Sequence, residues 1–91
     1  MNFGEALEAL KANHRASRAG WNGRGMWIVL SPGFMLTSDR VFSKPIAADI
    51  DGGVGVFRPY LMMRTVDAEF VPWVASQTDI LAEDWQVVPT N

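Results

Sequence analysis

The chain has no cysteine, a single histidine and a single tyrosine, and only 20% of its 91 residues are charged. Without cysteine there is no disulfide framework, no thiolate nucleophile and no thiolate-bound zinc. His14 has no second imidazole with which to share a metal, and its place just behind a helical pattern suits a partner for the negative helix end. No apolar run approaches the length of a bilayer span. The N-terminus is amphipathic and acidic rather than basic and then apolar, so a soluble cytoplasmic protein without membrane contact is expected. Eight cations against ten anions give a net charge of −2, which argues against binding a nucleic-acid polymer through its backbone.

What is present is apolar surface and tryptophan. Hydrophobic residues make up 48% of the chain, yet a domain this small buries only roughly 60 to 65% of its unfolded surface. A single domain over residues 1–91, with apolar surface left for self-association, is the expectation. Four tryptophans are present. Trp27 and Trp85 fall within apolar strand patterns and read as core. Trp21 and Trp73 instead sit in polar, turn-like settings, where an indole offers a flat stacking surface.

The local signals predict an α+β fold. Asn2 and Glu5 form a capping-box pattern ahead of Phe3, Ala6, Leu7 and Leu10, which predicts a helix over 3–12 stopped by Asn13. An extended link or short strand follows over 14–19, then a turn at Gly20 and a strand over 26–30 ended by Ser31-Pro32-Gly33. Residues 34–37 are expected to pair back onto that strand, and 38–55 to be loop-like. A hairpin is expected from strands over 60–64 and 69–74 joined by a turn over 65–68. Ser76 or Thr78 would cap a short helix over 79–83, and 85–88 closes the chain as a strand. The whole is an N-terminal helix, a mostly antiparallel sheet and a short helix before the C-terminal strand.

Two motif matches fail. Asp49-Ile50-Asp51 begins like a calcium loop, but Val54 stands where that loop needs glycine. Gly23-Arg24-Gly25 begins like a dinucleotide fingerprint, but Ile28 replaces its third glycine and a strand follows. Asp79 and Glu83 share a face of the predicted helix and read as a solvated acidic face.

A binding constellation remains. Gly20, Gly23 and Gly25 let a ligand approach main-chain N–H groups, and Asn22 both donates and accepts. Trp21, Met26, Trp27 and Trp73 supply apolar walls. Ser76, Gln77, Thr78 and Asp79 supply hydrogen-bonding groups for a ribose or a base edge. Arg18, Arg24, Arg58 and Arg64 are candidate phosphate contacts, because a guanidinium fork matches phosphate oxygens.

The ordered segments Met1-Asn2-Phe3-Gly4-Glu5-Ala6-Leu7, Arg18-Ala19-Gly20-Trp21-Asn22-Gly23, Arg58-Pro59-Tyr60 with Met63, and Val71-Pro72-Trp73 through Ser76-Gln77-Thr78-Asp79 to Trp85 resemble the type 2 Thoeris anti-defence family of phage and prophage proteins. The resemblance runs from end to end and is weakest over 38–55. It implies a small homotetramer that acts as a sponge in the bacterial host cell. Such a sponge binds a cyclic ADP-ribose immune signal, glycocyclic ADP-ribose, and in some members cyclic dinucleotides, without cleaving it and without a cofactor. Pockets between protomers are implied, with Trp21, Asn22 and Trp73 carried over together with Gly23, Gly25 and Met26, and Thr78 and Asp79 beside them.

Two other readings stay open. One is a hydrolase or lyase of the same signal with Asp79 or Asp84 as general base. The other is an interaction module whose tryptophans only anchor an interface.

Overall fold

The computed structural model describes residues 1–21 and 25–90. Helix α1 (Phe3–Lys11) begins at the expected capping box: the Asn2 side chain accepts the Glu5 N–H at 2.8 Å and the Glu5 carboxylate accepts the Asn2 N–H at 2.9 Å. It ends in a Schellman closure. Asn13, at φ 69°, donates its N–H to the Leu10 carbonyl and His14 donates to that of Ala9, so the last carbonyls of the helix are satisfied by the chain's own turn. Ala6 and Leu10 are fully buried, with Phe3 and Leu7 beside them.

Five strands form one antiparallel sheet: β1 (Arg15–Arg18), β2 (Trp27–Ser31), β5 (Tyr60–Arg64), β6 (Phe70–Pro72) and β7 (Trp85–Val88), in the order β6-β5-β2-β1-β7. One cross-strand row runs Val87, Ala16, Ile28, Met63, Val71. Its three central members are buried in one cluster with Ala6 and Leu10 of α1, and its two ends are exposed. Trp85 completes this core at 2% exposure, in line with expectation, and its indole N–H donates to the Asp79 carbonyl at 2.9 Å. Trp27 is half-buried on the other face of the sheet.

The short helix α3 (Gln77–Leu81) starts two residues earlier than expected. Ser76 is its N-cap, in reciprocal bonds with Asp79, and Thr78 lies exposed in its first turn. The β5–β6 hairpin has its expected turn, with Ala68 at φ 62°.

Residues 34–57 depart from expectation. β3 (Phe34–Thr37) does not pair back onto β2; it pairs with β4 (Val54–Phe57) in a separate two-stranded sheet. The reason is that both edges of β2 are taken, by β1 on one side and along its whole length by β5 on the other. Nor is 38–55 merely loop: it holds a 3₁₀ turn (Ser38–Arg40), helix α2 (Lys44–Asp49) capped by Ser43, and the start of β4. α2 buries none of its residues, so it carries no apolar period from which a helix could be read.

These elements pack mainly against one another and form an arm. Its flank exposes Met35, Val56 and a fully exposed Phe42, and the molecule measures 46 × 29 × 26 Å with a radius of gyration of 15.8 Å. A compact chain of this length would have a radius of about 12 Å.

Because the buried set is small and Trp85 is its largest member, Trp85→Ala should destabilise the fold by about 3 to 5 kcal/mol. Urea unfolding followed by far-ultraviolet circular dichroism measures this. Truncation at the exposed Val87, in the same strand, should cost less than about 1 kcal/mol.

Candidate functional site

On the face of the sheet turned away from α1, strand alternation brings Ser17 opposite Gln86 and Arg15 opposite Val88. The chain then leaves β1 through Ala19 and Gly20 into Trp21, and returns through Gly25 and Met26 into β2. Between these segments lies a hollow of about 280 Å³, lined by Ser17, Arg18, Ala19, Trp21, Gly25, Met26, Trp27, Gln86 and Val88. Ser17 is the one buried polar side chain among its described lining residues and accepts from the Gln86 amide at 3.3 Å. Indole walls and small polar donors therefore share one cavity.

The indoles are held edge to face. Trp21 packs on Trp85 at 5.5 Å and on Trp73 at 6.2 Å, while Trp73 packs on Trp85 at 6.1 Å. The Arg15 guanidinium lies 4.3 Å from the centroid of the Trp27 ring, which packs edge to face with Phe70 at 6.0 Å. A cation over an indole face contributes roughly 0.5 to 2 kcal/mol, depending on desolvation.

Arg18 is not a free cation. Its Nε donates to Asp84 at 2.9 Å and its Nη1 to Asp79 at 3.0 Å. The Asp84 and Asp79 hydrogen bonds hold the Arg18 pKa above the usual guanidinium range. The Arg18 bond, aided by the Gly20 N–H, holds Asp84 below the usual carboxylate range despite partial burial. Burial pushes Asp79 upward, but the Ser76 hydroxyl and N–H, together with Arg18, outweigh it and leave Asp79 low as well. The expected solvated acidic face at Asp79 is therefore corrected: its side chain is only 14% exposed and is an ion-pair partner. Sequence spacing hid this pairing, since Arg18 and Asp79 are 61 residues apart.

The predicted site residues divide between places. Trp21, Gly25, Met26 and Arg18 line the hollow, and Trp73 stands behind Trp21. Arg64 supports the hollow from below, donating through Nη1 to the Gly25 carbonyl at 2.7 Å. A Cβ on Gly25, which has φ +76°, would come within 2.8 Å of that same nitrogen. Thr78 and Asp79 belong to α3, outside the lining. Arg58 lies in a different hollow, of about 410 Å³, along β3 and β4 with Gly33, Phe34, Met35, Val56, Phe57 and Pro59. Asn22, Gly23 and Arg24 lie outside the described residues. Ser17 and Gln86 are not among the residues the sequence motifs point to; alternation in β1 and β7 is the signal that places them, once those strands are known to be neighbours.

A family model for the Thoeris anti-defense 2-like domain matches residues 1–88. The chain belongs to the Thoeris anti-defense 2-like family. Among curated proteins it is similar to Thoeris anti-defense 2 of Bacillus phage SP01, at 40% identity over 94 aligned residues that cover 97% of this chain and 94% of the relative. Family membership thus spans the hollow, the arm and α3 alike. Among the described residues no cluster of three or more His, Cys, Asp or Glu side chains is placed to hold a metal, and no helix is long and apolar enough to cross a membrane.

The carboxylates give the site a pH dependence with a fixed sign. Both have folded pKa values below their unfolded ones, so their stabilisation is fully present above about pH 4 and is lost as pH falls through the depressed folded values. Arg18→Met should make that acid loss shallower by removing the shared partner. Urea midpoints at pH 7 and in acid, for both proteins, provide the check; an equal acid loss in the variant would contradict it.

Proposed function

We propose that this protein is a phage-type anti-defence sponge. It binds a cyclic nucleotide immune signal, glycocyclic ADP-ribose or a cyclic dinucleotide, in the cytoplasm of the host cell and holds it uncleaved. The observation that carries the reading is the hollow itself, where Trp21, Met26 and Trp27 wall a space shared with Ser17, Arg18 and Gln86. Flat apolar walls suit a base, and neighbouring donors suit ribose and phosphate oxygens. The family match to a phage anti-defence protein sets the biological context.

The same geometry weighs against the hydrolase reading. Asp79 and Asp84, its two candidate bases, are both paired with Arg18 and held at low proton affinity. A general base works best with a pKa near the operating pH, and these carboxylates are shifted away from it.

Size supports an assembly. Small-molecule sites usually measure roughly 300 to 1,000 Å³, so a 280 Å³ hollow encloses only part of a dinucleotide-sized ligand. In the proposed homotetramer a neighbouring protomer completes the pocket. The exposed apolar flank of the arm, with Met35, Phe42 and Val56, supplies surface for such packing.

Calorimetric titration with glycocyclic ADP-ribose and with cyclic dinucleotides tests the reading, followed by heat release and chromatography of the ligand. Saturable binding with intact recovery is expected. Multiple-turnover consumption at substoichiometric protein would establish the hydrolase, and no binding would favour the interaction module. Trp21→Ala should weaken binding roughly 5- to 150-fold, the range set by about 1 to 3 kcal/mol of base stacking. Sedimentation of a Phe42→Glu, Val56→Glu double variant should show species smaller than wild type with an unchanged circular dichroism spectrum.

A further inference from the structure

Between β1, which ends at Arg18, and β2, which begins at Trp27, the described backbone belongs to no strand. The orientation of Trp21 as a pocket wall therefore has to be set by something other than the sheet ladder. One residue reaches back from the other end of the chain to do this. Asp84 accepts the Gly20 N–H through Oδ2 at 3.0 Å, the Arg18 Nε–H through Oδ1 at 2.9 Å, and the Ala19 N–H through its main-chain carbonyl at 3.0 Å. Trp21 in turn donates its N–H to the Arg18 carbonyl at 3.1 Å. The approach leaves little spare room: a Cβ on Gly20 would stand 3.2 Å from Oδ2. Asp84 also directly precedes Trp85, the ring on which Trp21 rests.

We infer that Asp84 is a positioning residue for the ligand pocket, fixing the turn at Ala19 and Gly20 so that the Trp21 indole is held as its wall before ligand arrives. The inference rests on the reading of the hollow as a nucleotide site. Asp84 is not among the residues lining that hollow, so it acts through Gly20 and Arg18 rather than by touching ligand. Preorganisation of this kind is read in dissociation, since a wall free to swing lets ligand leave sooner.

Asp84→Ala removes both carboxylate contacts, whereas Asp84→Asn keeps an oxygen able to accept the Gly20 N–H and turns its NH₂ toward Arg18. Amide exchange by nuclear magnetic resonance, without ligand, reads the turn; stopped-flow and calorimetry with glycocyclic ADP-ribose read the pocket. In Asp84→Ala the Gly20 amide should exchange at least tenfold faster and the Trp21 indole resonance should shift. Glycocyclic ADP-ribose should dissociate at least tenfold faster, with thermal unfolding still cooperative. Asp84→Asn, which keeps the Gly20 contact but sets its NH₂ against the Arg18 donor, should fall between wild type and Asp84→Ala, with measurably faster Gly20 exchange and dissociation, and it carries the test alone if Asp84→Ala does not fold. Unchanged Gly20 exchange, or a loosened turn with wild-type dissociation, overturns the inference. If wild type does not bind the probe, the nucleotide reading fails instead, and unchanged Gly20 exchange in the variants would still sink the positioning role of Asp84.

Discussion

Packing around the Trp85 indole is the constraint on which the rest of the structure depends. Phe3 from α1 meets it at 5.4 Å, Trp21 from the turn after β1 at 5.5 Å and Trp73 from the segment after β6 at 6.1 Å. Its indole N–H closes onto α3 through the Asp79 carbonyl, and its backbone N–H donates to the Met1 carbonyl. A buried tryptophan removes about 150 to 250 Å² from water, or about 4 to 6 kcal/mol at 25 cal/mol per Å². That is comparable with the whole net stability of many small domains. Among the described residues only five other apolar side chains are buried, so one ring carries an unusual share of the core.

Wall and core are consequently one cluster. Trp21 and Trp73 are half-buried against Trp85 while Trp21 also faces the hollow. In the proposed function stability and ligand affinity are coupled through these shared rings, so that substitutions within the cluster are not additive. The same economy appears in the charges. Arg18 and Asp79 join β1 to α3, Asp79 caps α3 through Ser76, and Asp84 joins both to the turn. A single guanidinium between two carboxylates leaves the triad with one net negative charge, so attraction for an anion has to come from other donors around the hollow. Among the described residues, Arg15, seated over the Trp27 ring, is a cation close enough to contribute.

What the sequence made legible was local chemistry. The capping box at Asn2 and Glu5, the left-handed stop at Asn13 and the hairpin turn before Glu69 are set by residues within a few positions of one another, and all appear in the structure. The pairing of Phe34 with Phe57, the clasp of Arg18 by Asp84 and the stacking of Arg15 on Trp27 join residues far apart in the chain. No spacing rule predicts these contacts, because sheet order decides them. The site was legible as composition, in Trp21 and the glycines around it, but not as partnership. Charge alone points to Arg18 and Arg64 as phosphate contacts, whereas the fold uses them to join the end of β1 to Asp84 and Gly25 to β5.

The arm and the undersized hollow have a common physical origin. A chain this short builds a core beneath only one face of its sheet, so Trp27, Val29 and Met62 on the other face remain only half-buried, and α2, beside the β3–β4 pair, buries none of its residues. Apolar side chains as exposed as Phe42 and Met35 are costly to leave in water at about 25 cal/mol per Å². Contact between copies lowers that cost. In the proposed assembly the surface a monomer leaves open is the surface from which a pocket large enough for a dinucleotide is completed. Binding and assembly then stabilise each other by linkage, since ligand that favours the assembled form shifts the protein toward it.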